Sequence, residues 1–287
     1  MLKLRVIAAL CFTPPFLFLV WYGGLPLRIG CAVVATIMLW EFYRLTLGKG
    51  LLVLKSAGFI LAMAFAIIAM DLLPLKGIIF GAPLAFMLLF FVTLLRPDPI
   101  NEIITSASLV LFGAFYAGGL LPYLVRLRDL PNGLALALMA LFCTWGSDTA
   151  AYFSGRAFGK HKLYPKISPK KSVEGLIGGV AAAIAVAFLV AALPKILPSS
   201  WHSTLHLNSL FNTQLNNLYL ILIGFIAAIV GLIGDFCESL LKRSVGAKDS
   251  SELIPGHGGI LDRFDAVMFV APALYLFAIA FGLQKGG

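Results

Sequence analysis

The chain has 287 residues, 60% of them hydrophobic and only 12% charged, with a mean hydropathy of +0.97. Soluble domains average about 45–50% apolar and about 25% charged residues, so this composition excludes a water-soluble globule and makes lipid the solvent for most of the chain. The formal charge of +9 fits a cytoplasmic-loop excess of Lys and Arg or a site for polyanions such as phosphates; no basic, aromatic-interleaved segment offers nucleic acid a surface.

The amino terminus, MLKLRVIAALCFTPPFLFLVWY, has the basic-then-apolar layout of a signal peptide. A second apolar run follows almost at once and no small-residue cleavage site precedes it, so it reads as a retained first span, kinked at Pro14-Pro15. A spanning helix takes about 20 mostly apolar residues. Nine segments meet or approach this: 6–22, 25–44, 56–73, 77–95, 104–125, 133–153, 174–193, 217–241 and 265–283. The first two, joined through Gly23-Gly24, form one re-entrant unit in an eight-span alternative. The expected fold is therefore all-α, a polytopic integral membrane protein. Residues 1–100 supply membrane helices of no evident chemistry, and 101–287 form a membrane-embedded catalytic region.

With the amino terminus inside, most Lys and Arg fall on the inner side, as the positive-inside rule requires; the Arg126/Arg128 pair is a mild exception. The outer segment 196–216 carries no charged residue. Two inner loops, 154–173 and 242–264, join spans six to nine and can converge on one side of the membrane. Cys11, Cys31, Cys143 and Cys237 all lie in apolar runs without CxxC spacing and read as small buried hydrophobes.

Span eight ends GLIGDFCESLLKR. Asp235, Glu238 and Ser239 share one helix face, and at 1.5 Å per residue Asp235 lies about 12 Å deeper than Arg243. A carboxylate at that depth costs about 2.5–3.5 kcal/mol on insertion scales, so it needs a water-filled cavity, a cation or a basic partner. Glu238 reads equally well as the i,i+4 partner of Lys242. Asp262 and Asp265 open span nine three residues apart, with N-capping the competing reading for Asp262. Acid pairs on consecutive spans offer the hard oxygen ligands that Mg²⁺ takes when it also holds substrate phosphates. Lys242, Arg243, Lys248 and Arg263 supply counter-charge.

In IPGHGGILDRFD, Gly256, Gly258 and Gly259 permit positive φ and close approach, so amide N–H groups can aim at an anion; a plain tight turn is the blander reading. His257 donates to a phosphate or caps that turn. In WGSDTAAYFSGRAFGKHKLYPKISPKKSVEGLIGG, Asp148 is a buried acid inside span six. Arg156, Lys160, Lys170 and Lys171 make a flexible basic segment, either a phosphate binder or a solvated positive-inside loop. GxxxxGK[ST] is absent. Ser172, followed by Glu174, is a candidate N-cap. His202 and His206 lack an HExxH glutamate, and no GxSxG nucleophile setting occurs.

These residues suggest a cytoplasm-facing, Mg²⁺-dependent phosphate site that opens into the membrane, with a water-soluble donor and a lipid acceptor. In-line displacement at phosphorus needs cations and positioning but no protein nucleophile. The segment Ser239–Asp265, SLLKRSVGAKDSSELIPGHGGILDRFD, resembles the signature of the phosphatidate cytidylyltransferases. Ser239, Lys242-Arg243, Lys248-Asp249, Pro255, His257–Gly259 and Asp262–Asp265 stand in its order and spacing. Residues 145–175 resemble the family less distinctively, and those before about 100 only in hydropathy.

The resemblance implies cytidylyl transfer from CTP to phosphatidate, giving CDP-diacylglycerol and pyrophosphate, by a homodimer of the inner membrane. It implies Mg²⁺ on Asp235 and Asp262, with Asp265 a ligand or supporting acid, and allows a second, monovalent cation such as K⁺. Lys242, Arg243 and Lys248 become catalytic phosphate binders. Ser239, His257, Gly258, Gly259, Arg263 and Asp148 line the substrates, and Arg156, Lys170 and Lys171 hold either the triphosphate tail or the lipid headgroup. A CTP-dependent polyprenol kinase and a cytidylyltransferase for ether lipids are the neighbouring readings. An ion-coupled transporter or scramblase is the alternative of another class, but internal repeats and paired broken helices are absent and the acids cluster toward one end of their helices.

Overall fold

A computed structural model describes residues 2–47, 52–71, 87, 91, 100–196, 215–251, 253 and 258–283. Most of the expected span 77–95, the outer segment with His202 and His206, and His257 of the signature lie outside the described residues. The elements are α1 (Leu2–Tyr22), α2 (Gly24–Thr46), α3 (Leu52–Ala69) and α4 (Ile100–Gly113), the last running on as a π-helical segment, Ala114–Gly119. Then come α5 (Tyr123–Asp129), α6 (Gly133–Phe158), β1 (Lys162–Tyr164), β2 (Ser168–Ser172), α7 (Val173–Ile196), α8 (Asn217–Ser244), α9 (Leu261–Phe264) and α10 (Val267–Ala280).

Among the described residues six helices are long and apolar enough to cross a membrane, and Phe12–Tyr22 and Leu54–Ala69 add shorter apolar helices. The fold is therefore the expected all-α, polytopic one. α1 continues through Pro14 and Pro15. It is separated from α2 by Gly23 and Gly24, both left-handed at φ +70° and +56°, a turn that residues with a Cβ adopt only at a cost.

The chain forms two units, Met1–Arg126 with Ser244–Phe264, and Leu127–Arg243 with Asp265–Gly287. In the first, Tyr43 of α2 is buried and donates its hydroxyl to the Val110 carbonyl at 2.7 Å. A buried hydroxyl left unbonded would cost free energy, so this bond fixes α2 against α4. The π-helical segment lies on α3, where a Cβ on Gly118 would run into the Ala62 backbone. Phe16 of α1 meets Phe264 of α9 edge to face at 4.9 Å, which draws the carboxyl-terminal end of the signature onto the first helices.

In the second unit α6 and α7 form the most extensive helix pair. Lipid tails are as apolar as leucine, so such pairs depend on small residues that let backbones approach. Ser147, Ala151 and Gly155 of α6 recur every four residues and face Gly175 and Gly179 of α7. A Cβ on Gly179 would stand 2.8 Å from Ser147 Oγ, and one on Gly175 2.8 Å from the Ala151 carbonyl. Gly224 of α8 likewise meets the backbone of α7 at Ile184, and Gly231 of α8 meets Ala266 and Val270.

The flexible loop expected at 154–173 contains a short antiparallel hairpin, pairing Lys162 with Ser172 and Tyr164 with Ser168. Its base is tied by Val173 N–H to the His161 carbonyl at 2.9 Å. The Glu174 carboxylate accepts from the N–H groups of Lys160 and His161 at 3.1 and 3.2 Å and meets His161 Nδ1 at 2.7 Å. Ser172 Oγ accepts from Gly175 N–H at 3.1 Å, the N-cap that the sequence leads one to expect for α7.

Candidate active site

The candidate metal-ligating acids are divided between the units, Asp262 in the first and Asp235 and Asp265 in the second. In the second unit Asp235 projects from α8 and is half-buried. One of its oxygens is paired with the Lys171 ammonium, and the other accepts from Ser239 Oγ, one turn on, at 3.2 Å. The Lys171 ammonium also lies 4.7 Å above the Phe236 ring, against which Tyr164 of the hairpin packs edge-on at 6.2 Å. The hairpin is thus docked on α8 by an aromatic contact and an ion pair together, and the basic loop does converge on span eight.

Asp148 of α6 and Asp265 are close enough to Asp235 for the three carboxylates to feel one another's charge. Asp148 is exposed rather than buried, while Asp265 is half-buried and accepts from the Ala266 N–H at 2.7 Å. One turn beyond Asp235, Glu238 is buried and ion-paired with Lys242, the i,i+4 reading of the sequence. The two ammonium groups are thus paired with Asp235 and Glu238, and Asp148 and Asp265 add further carboxyl groups to the cluster. An excess of hard oxygen donors suits a divalent ion such as Mg²⁺. Among the described residues, no three His, Cys, Asp or Glu side chains lie close enough together to hold a metal ion by themselves.

In the first unit Asp262 Oδ2 accepts from Ser250 N–H at 2.9 Å, Ser250 Oγ at 2.7 Å and Gly259 N–H at 2.7 Å. It closes the glycine-rich segment onto the residues after the Lys248-Asp249 pair instead of capping a helix. Gly258 takes the left-handed conformation expected of it, φ +77°. The next amides do not face outward: Gly259 N–H is held by Asp262, and Ile260 and Leu261 N–H donate to Glu41 of α2 at 3.0 and 2.7 Å. For Gly259 the expectation that the amide aims at a substrate anion is replaced by a bond to the protein's own carboxylate, and the two amides after it are likewise taken up within the protein. The reason is Glu41, fully buried, which reasoning from sequence misses. A signal for it does exist: it is the sole acid before Asp71 and stands inside an apolar run, where an ionisable group points to function.

The remaining cations are accessible. Arg156, Lys170, Arg243, Lys248 and Arg263 are all exposed, and Arg156 Nη1 reaches the Tyr152 hydroxyl at 3.4 Å. Exposed Lys and Arg can bind phosphate groups without the penalty of burying charge.

A sequence model described as the cytidylyltransferase family matches residues 3–281. Curated relatives named phosphatidate cytidylyltransferase are similar over their whole length. That of Bacillus subtilis is 33% identical over 98% of each chain. That of Staphylococcus epidermidis is 32% identical over 97% of this chain and 99% of its own, and that of Synechocystis is 31% identical over 96% of each. The likeness therefore extends through the first hundred residues, where the sequence alone shows only hydropathy, and covers α2 with Glu41. With a match of this extent, the chain belongs to the cytidylyltransferase family.

Proposed function

We propose that the protein transfers a cytidylyl group from CTP to phosphatidate, giving CDP-diacylglycerol and pyrophosphate. It does so as a homodimer in the cell's inner membrane, with the site toward the cytoplasm. The observation that carries this reading is the joining of the acid cluster on α6 and α8 to a basic hairpin in a chain whose relatives, matched end to end, bear that enzyme's name.

A phosphatidate oxygen attacks the α-phosphorus of CTP, and the bond from that phosphorus to the oxygen bridging to the β-phosphate breaks. The electron pair leaves with pyrophosphate. Lys171, released from Asp235, Lys170 and Arg156 offer positive charge to the phosphates from the hairpin side, and Arg243 from the end of α8. The family resemblance assigns Mg²⁺ to Asp235 and Asp262, which would hold it with Asp265 as a ligand or supporting acid, and allows a K⁺ neighbour. The ion would supply Lewis-acid stabilisation of charge on the phosphoryl oxygens. Ser239 keeps the Asp235 carboxylate turned in one direction.

The test is purified protein with phosphatidate and CTP labelled either in cytidine or in the γ-phosphate, with Mg²⁺ or with EDTA. Cytidine label should enter lipid only with Mg²⁺, and Asp262→Asn should abolish this while eluting as wild type from a sizing column. Equal product under chelation overturns the metal assignment. Lipid carrying only γ-label overturns the cytidylyl reading in favour of a lipid kinase.

A further inference from the structure

We infer that Glu41, outside the signature segment, is a positioning residue for it: its carboxylate fills the amide concavity at 260–261 and, beside Ser250, sets the orientation of Asp262. Glu41 Oε1 accepts from Ile260 N–H at 3.0 Å and from Ser251 Oγ, while Oε2 accepts from Leu261 N–H at 2.7 Å and lies 3.3 Å from Ser250 Oγ. Glu41 is wholly buried, and Ser250 and Ser251 are only 2% and 7% exposed. Successive backbone N–H groups converging in this way form an anion-binding concavity, and here the anion is a side chain from the second helix.

The chemistry selects a carboxylate. An ionised carboxyl group only accepts, at both oxygens, which matches donors arriving at both. A glutamine amide would turn one NH₂ toward an N–H or O–H donor. The effect reaches Asp262 through the backbone, because Leu261, whose N–H Glu41 holds, directly precedes it; the Asp262 carboxylate is braced in turn by Ser250. Its hydroxyl has one proton, directed at Asp262 Oδ2 at 2.7 Å, the nearer acceptor, and its own N–H donates to the same oxygen at 2.9 Å. The arrangement also accounts for Gly259, since a Cβ there would occupy the space of the Ser250 hydroxyl and both Glu41 oxygens. Complete burial keeps Glu41 from touching substrate, so its influence passes through the segment that it holds.

The link to turnover rests on the proposed cytidylyl transfer; the brace itself does not. The experiment uses the full chain in detergent as wild type, Glu41→Gln, Glu41→Asp and Ser251→Ala. Hydrogen–deuterium exchange is followed by mass spectrometry alongside CDP-diacylglycerol formation. In Glu41→Gln, exchange across 258–264 should rise at least about tenfold while α6–α8 stay unchanged, as expected for loss of hydrogen bonds to a charged group. Turnover should fall at least about tenfold with KM for CTP within about twofold, the split expected when bound groups are misoriented, and Glu41→Asp should recover part of both. Unchanged exchange at 258–264, or full kcat in Glu41→Gln, overturns the inference. A wild type that forms no CDP-diacylglycerol overturns the proposed activity instead, and exchange still decides the brace. Should Glu41→Gln fail to fold, Ser251→Ala decides alone: faster exchange at 258–264 supports the brace and wild-type exchange sinks it.

Discussion

Gly259→Ala is the smallest change that sets the braced segment against itself. The added methyl group would overlap the Ser250 hydroxyl and the Glu41 carboxylate, and all of these atoms are held by hydrogen bonds. Forcing a methyl into a filled core costs about 1–3 kcal/mol. Room can be made only by giving up at least one bond to a charged acceptor, worth about 1.5–3 kcal/mol. The sum is about 2.5–6 kcal/mol, large for any single substitution. Gly246→Ala is the matched comparison, because Gly246 is left-handed at φ +70° and a methyl group added there would meet nothing within 4 Å; only the backbone penalty of about 1–2 kcal/mol applies. Membrane proteins commonly unfold irreversibly, so the assay is the half-life of the folded, detergent-solubilised protein at one fixed temperature. Gly259→Ala should shorten that half-life well beyond Gly246→Ala. Equal half-lives would refute the argument, since they would mean that the carboxylate and hydroxyl move aside freely.

Two further substitutions probe the second unit. Lys171→Met removes the ammonium paired with Asp235 and set over Phe236 while leaving the Tyr164–Phe236 contact; CDP-diacylglycerol turnover should fall at least about tenfold, the scale of one charge-assisted bond, and wild-type turnover would remove Lys171 from the site. Gly179→Leu places its Cβ 2.8 Å from Ser147 Oγ and 3.1 Å from the Ser147 carbonyl, an overpacking of about 1–3 kcal/mol that should shorten the half-life in the same assay. Ile177→Leu, at a side chain 64% exposed on the same helix, should stay within about 0.5 kcal/mol.

What could be read from the sequence was what depends on neighbours one helical turn away. Ser239 on the face of Asp235, the Glu238–Lys242 pair and the Ser172 cap are all i,i+3 or i,i+4 relations, and these follow from helical periodicity alone. The hairpin was hidden because KLYPKISPKK is rich in Pro and Lys and poor in the alternation that marks a strand; it exists through its docking on Phe236 and the clamp from Glu174. Glu41 was hidden by distance, its amide donors lying 219 and 220 residues away in sequence. The glycine-rich segment offered its amides to any anion, and no local rule distinguishes a substrate phosphate from a carboxylate on the second helix.

The tie between Glu41 and residues 250–261 also bears on how the molecule is made. The ribosome delivers α2 to the bilayer more than two hundred residues before the donors that satisfy its acid. Throughout that interval the early helices carry a polar group for which hydrocarbon has no use. The first unit can therefore close only when the chain comes back to it near its end, and a product truncated before Ser250 should be retained by quality control as an open intermediate.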